Sequence, residues 1–146
     1  MDSRILRLDH LVLRVTDLPR MLAFYRDVLG CPLDNVQEKL GLYQLRAGDS
    51  LIDLIDIAGP LGAMGGKPPG KEGRNLDHLC LRIEPFDEAA LRAHLSRHGV
   101  SVGDVGSRYG AEGEGPSLYL ADPEGNVVEL KGPPWPGGVR PTPPGP

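Results

Sequence analysis

The sequence predicts an α+β fold built from two βαβββ modules, on three observations. The segment LDHLVLRV at residues 8–15 returns as LDHLCLRI at residues 76–83, identical at six of eight positions at an offset of 78 − 10 = 68 residues. Each copy is followed by one stretch of helical spacing, and each helix is followed by short apolar runs bounded by turn formers. A repeat of this quality fixes architecture before any single element does, and it predicts two packed copies related by a pseudo-twofold axis.

Taken in order, residues 8–15 form a Leu- and Val-rich strand ending at the turn-like TDLP. Thr16 or Asp17 caps a helix with Pro19 in its first turn. Met21, Leu22, Phe24, Tyr25, Val28 and Leu29 keep its apolar face, and Gly30 stops it. Runs at 33–36, 42–45 and 51–57 are three further strands. Residues 60–75 hold turn formers and little apolar content, and so predict an exposed linker or lid. The second half reads as a strand at 76–83, a helix at 87–98 stopped by Gly99, and strands near 100–105, 117–121 and 127–131. The expected organisation is one domain over residues 1–132, with module one at 6–58, a linker or lid at 59–75 and module two at 76–132. A tail at 133–146 is too rich in Pro and Gly for helix or sheet interior and is expected to be extended or disordered, with Trp135 pinning its start.

Bulk properties exclude several functions. A chain of 146 residues suits one domain of ordinary size. Its net charge of −4, without a Lys/Arg cluster, argues against a nucleic-acid partner and for a small-molecule one. No apolar run approaches the roughly 18 residues that cross a bilayer. The start lacks a secretory signal pattern, which predicts a cytoplasmic location. Cys31 and Cys80 have neither CxxC spacing nor the number that a disulfide framework needs. Cys80, two residues from His78 in a strand, shares its face; a small buried residue is the plain reading of it.

The duplication also pairs chemistry. His10 corresponds to His78, and SLIDLID corresponds to NVVELKG, so Asp53 corresponds to Glu129. Ionised carboxylates in mid-strand must be paired or metal-bound, and two imidazoles with two carboxylates suit one divalent ion: Zn, Ni, Mn, Fe or Co. The expected metal ligands are therefore His10, Asp53, His78 and Glu129. Asp56, three residues on from Asp53, points to the opposite face. Asp9 and Asp77 precede each His and are expected to face away in structural roles. His94 and His98 have four-residue spacing, which a solvated helix face explains.

These residues are similar to the vicinal oxygen chelate superfamily, the glyoxalase, bleomycin-resistance and dioxygenase family. Its carriers are His10 in LDHLVLRVTDL, the helix MLAFYRDVLGCPL, His78 in LDHLCLRI, and DPEGNVVEL with Glu129, together spanning nearly the whole chain to about Gly132. The resemblance implies two βαβββ modules whose curved sheets form an open half-barrel around a metal, and a homodimer in which two chains build each site. It also implies a lyase or isomerase of glyoxalase type, acting on a small substrate with vicinal oxygens through a metal-stabilised enediolate. In glyoxalase I the matching quartet is His, Glu, His, Glu; Asp53 replaces one Glu here, which makes Glu129 the candidate base. The alternatives within the family are an Fe(II) dioxygenase, an epoxide-opening transferase and a metal-free drug-sequestering protein. Arg14, Arg82, Arg108 and Tyr109, the last two in the glycine-rich loop SRYGAEGEGPS, are candidate substrate contacts.

Overall fold

A computed structural model describes residues 3–140, which divide between Arg74 and Asn75 into two compact units. The first unit contains β1 (His10–Val15), α1 (Leu18–Ala23), β2 (Leu33–Gln37), β3 (Leu42–Ala47), β4 (Ser50–Asp56) and the short α2 (Pro60–Ala63). The second contains β5 (His78–Arg82), α3 (Glu88–Arg97), β6 (Val105–Gly110), β7 (Gly113–Ala121) and β8 (Val127–Lys131). Each unit has one open four-stranded mixed sheet, ordered β1-β4-β3-β2 in the first and β5-β8-β7-β6 in the second. The pairs β1/β4 and β5/β8 are parallel and the other pairs antiparallel. No helix among the described residues is long and apolar enough to cross a membrane.

Alternation along the strands sets the two faces of each sheet. In the first unit Leu13, Val15, Leu45, Ile52 and Leu54 are buried on one face, and Met21, Phe24 and Tyr25 of the helical segment are buried with them. Asp17 caps α1 by accepting the Arg20 N–H at 3.1 Å. The helix then widens into a π-turn at Phe24–Val28, where the Leu29 N–H reaches the Phe24 carbonyl, before Gly30 at φ 74° lets the chain leave. In the second unit Leu118, Leu120, Val128 and Leu130 form the matching buried face, and Leu95 of α3 is buried as well. The α3 cap is Asp87, which accepts from the Ala90 N–H.

Two expectations are corrected. Residues 100–104 form no strand; β6 lies at Val105–Gly110 and pairs with β7 in a hairpin. The segment read as a glycine-rich loop is thus sheet, and two of its glycines are there for room. A Cβ on Gly110 would lie 2.5 Å from Lys131 Cε, and one on Gly115 would lie 2.6 Å from the Pro133 carbonyl oxygen. The Lys131 side chain runs across these bare positions and donates to the Arg108 carbonyl at 2.7 Å. Second, the start of the connection at 60–75 is not a free lid. Gly62 is buried, and the Arg14 guanidinium holds the carbonyls of Gly62, Gly66 and Lys67 at 2.7–3.0 Å. The start of the tail is held at Trp135, the residue expected to pin it: its backbone N–H donates to the Glu114 carbonyl and its indole N–H to Ser107 Oγ, both at 2.8 Å, and Pro136–Gly138 make one 3-10 turn. Residues 141–146 of the tail lie outside the described residues.

Candidate metal-ligand pairs on the two sheets

On the sheet face opposite the buried leucines, β1 presents His10, Val12 and Arg14, and the β4 residue in register with Val12 is Asp53. Asp53 is 3% exposed although it stands on the polar face. The register β2–β3–β4 places Asn35, Gln44 and Asp53 in a cross-strand row. Asn35 donates to Gln44 Oε1 at 2.8 Å, and Gln44 donates to Asp53 Oδ2 at 2.9 Å. One carboxylate oxygen is thereby fixed, and Asp53 Oδ1 is left buried with no hydrogen-bond partner.

The second sheet repeats the arrangement. His78 and Cys80 share a face of β5, Cys80 is in register with Glu129 of β8, and Glu129 is in register with Tyr119 of β7. Glu129 is 5% exposed, and its Oε1 is the other buried side-chain atom among the described residues with no partner. Its Oε2 lies 3.3 Å from His78 Nε2. Tyr119 meets the His78 ring edge-on at 5.4 Å, and the Arg108 guanidinium stacks over Tyr119 at 4.4 Å. Cys80, expected to be buried, is exposed; partial desolvation against the sheet, and then the Glu129 carboxylate, push its thiol up to about 11, so it keeps its proton at neutral pH.

Asp9 and Asp77, expected to face away, instead turn back onto the imidazoles. Asp9 Oδ2 is 2.8 Å from His10 Nδ1, and Asp77 Oδ2 is 2.7 Å from His78 Nδ1. Both aspartates lie just before their strands, where the backbone is free of the strand's alternation. The contact with Asp9 raises the His10 pKa, with a smaller raising contribution from the Asp53 charge, and the same contact lowers the pKa of Asp9. Because a carboxylate accepts, each imidazole donates from Nδ1 and its neutral form leaves the Nε2 lone pair free. A carboxylate fixing the tautomer of a metal-binding imidazole is the usual outer-shell arrangement. Replacing Asp77 by Asn is therefore expected to weaken cation affinity by roughly 10–100-fold. Competition against a chromophoric chelator reads this directly, and an unchanged affinity would remove Asp77 from the site.

The fit of these residues to a cation follows from the acceptors. In the neutral form that donates from Nδ1 to Asp77, the lone pair on His78 Nε2 faces Glu129 Oε2 at 3.3 Å, two acceptors that a cation can join. A buried carboxylate with one oxygen unpartnered is costly, and it occurs in both copies at the positions the repeat pairs. A divalent cation satisfies lone pair and carboxylate together. Of the four expected ligands, His78 and Glu129 stand 3.3 Å apart, while His10 and Asp53 share one face of the first sheet on the neighbouring strands β1 and β4. Among the described residues no group of three or more His, Cys, Asp or Glu side chains is gathered as a metal site.

The candidate substrate contacts fare differently. Arg14 is occupied by the 60–67 carbonyls, and Arg82 pairs with Glu112 at 2.5 Å. Arg108 is held by Asp104 and by Ser117 Oγ. Tyr109, on the opposite face of β6 from Arg108, is 83% exposed. Of these, Arg108 alone stands beside the His78–Glu129 pair, through Tyr119.

The comparisons with known proteins agree with the fold. Residues 7–130 match the model of the Glyoxalase/Bleomycin resistance protein/Dioxygenase superfamily. The chain is 32% identical over 127 residues to virulence protein STM3117 of Salmonella typhimurium, covering 85% of this chain and 82% of that protein. It is 24% identical over 131 residues to the mitochondrial methylmalonyl-CoA epimerase of Bos taurus, covering 86% and 73%. Its fold is similar to that of an integron cassette protein from the mobile metagenome of V. cholerae, with TM-score 0.71, 28% identity, and coverage of 90% of this chain and 98% of that one. The chain belongs to the Glyoxalase/Bleomycin resistance protein/Dioxygenase superfamily.

Proposed function

We propose that this chain is a divalent-metal-dependent lyase or isomerase of glyoxalase type, acting on a small substrate with vicinal oxygens. The carrying observation is the pair of unpartnered buried oxygens, Asp53 Oδ1 and Glu129 Oε1, each on a sheet face shared with an imidazole positioned by its own aspartate. His10 and Asp53, with His78 and Glu129, are the proposed ligands. Two ligands fall short of the three or four protein groups of a catalytic site, so neither pair is complete alone. A bound divalent ion supplies Lewis-acid polarisation of the substrate oxygens.

The chain's own residues supply the rest. Asp9 and Asp77 hold the imidazole tautomers, and Gln44 holds Asp53 Oδ2. Glu129 Oε1 has no competing hydrogen bond, so it is the atom that takes a proton from the carbon next to a carbonyl and returns it to the neighbouring carbon. Removing and restoring such a proton is also what an epimerase does, which is the activity named for one relative. The test is deuterium incorporation from D2O into small α-hydroxy ketones and thiohemiacetals of 2-oxoaldehydes, followed by NMR. The reading expects exchange that requires a divalent ion and stops with chelator. Exchange absent with every divalent ion tested, or equal in chelator, would refute it.

A further inference from the structure

A cavity lies in the second unit, and neither His78 nor Glu129 lines it. It encloses about 660 Å³ between the start of α3, the edge strand β6 and the segment running from Trp135 to Arg140. That volume is within the range of small-molecule pockets, about 300–1,000 Å³. Phe86, Pro116 and Trp135 give it apolar walls, and Gly103 and Gly106 leave bare backbone on its lining. Trp135 is a prepared wall, because its indole N–H is held by Ser107 Oγ, which in turn donates to Glu114 at 2.7 Å. A ring fixed in this way loses little freedom when a flat ligand stacks on it.

The charges around the cavity select the ligand's sign. Glu88 is paired with Arg92 at 2.8 Å, and Asp104 is paired with Arg108. Arg140 completes the lining and has no ion-pair partner among the described residues. One uncompensated guanidinium beside aromatic walls suits an anion with a flat apolar body. We propose that this cavity is a second ligand site, distinct from the metal-ligand pairs, that takes a planar aromatic carboxylate stacked on Trp135 with its carboxylate at Arg140.

Trp135 is the sole tryptophan, so its emission reports the site without labelling. The probe is 2-naphthoate, with 2-naphthamide as its neutral counterpart, titrated into the full chain and confirmed by calorimetry. The expected result is saturable quenching by 2-naphthoate, with the amide bound about fivefold more weakly, the size suited to an exposed ion pair. Arg140→Ala should lower naphthoate affinity by about the same factor and leave the amide unchanged, whereas Arg140→Lys should retain most of it. Cation binding to the chain should not change in either variant. Absence of saturable binding, equal affinity for the two probes, or a naphthoate affinity indifferent to Arg140→Ala would overturn the proposal.

Discussion

Glu129→Gln is expected to reduce metal-dependent proton exchange by about 10²–10⁴-fold, the usual contribution of a positioned general base. The substitution keeps the shape of the side chain and one oxygen for a cation while removing the basic site. The fold should survive it, since Glu129 sits on a polar face whose other members are tied elsewhere: Lys131 to the Arg108 carbonyl and Ser117 to Arg108. An amide NH2 can also donate toward the free Nε2 of His78, which stands 3.3 Å from Oε2, so the variant should be at least as stable as the parent without metal. Thermal unfolding in chelator separates the two effects. A lost activity with an unchanged or raised Tm supports the base assignment; retained exchange would transfer the role to Asp53 or to a substrate group.

Gly62→Ala is the second large effect and concerns the fold rather than the chemistry. A Cβ at this position would lie 1.9 Å from the Asp56 carbonyl oxygen and 2.4 Å from its carbon, both backbone atoms at the end of β4. No side-chain rotamer relieves such a clash, so α2 must leave its seat, and Arg14 then loses the Gly62 carbonyl that its Nε and Nη2 share. The expected loss is about 3 kcal/mol, at the upper end for overpacking. That corresponds to a Tm lower by about 6–12 °C for a chain of this size. Gly66→Ala in the same segment has open space around its Cβ and φ 73°, so its cost is only the local one of a left-handed backbone. Similar Tm values for Gly62→Ala and the parent would mean that the 60–67 segment is not seated on Arg14 and β4.

The parts of the molecule differ in how much the sequence reveals, for physical reasons. The repeat around His10 and His78 is readable because six of eight positions are identical, four of them inside β1, and the pairing of Asp53 with Glu129 follows from the same correspondence. The roles of Asp9 and Asp77 are hidden by a sound rule applied one residue too far. Neighbours alternate within a strand, yet these aspartates precede β1 and β5 and are free to turn back. Their recurrence as Asp-His in both copies is the signal that could have found them. Gln44 and Asn35 are invisible for another reason: their role depends on cross-strand register, which local patterning does not determine. The β6–β7 hairpin is masked by glycines that read as loop but serve to clear a path for Lys131. Arg14 looks like a substrate contact because a charged residue in a repeated strand suggests function, whereas its partners are backbone carbonyls about fifty positions away in sequence.

The most direct test of the central claim is the metal content of the purified chain after equilibration with a panel of divalent ions, beside His10→Ala and Glu129→Ala variants. These change one ligand in each unit. The account predicts about one ion per chain in the parent, with occupancy lost in both variants while their far-ultraviolet circular dichroism is retained. Equal occupancy in parent and variants, or no ion in any of them, would contradict it.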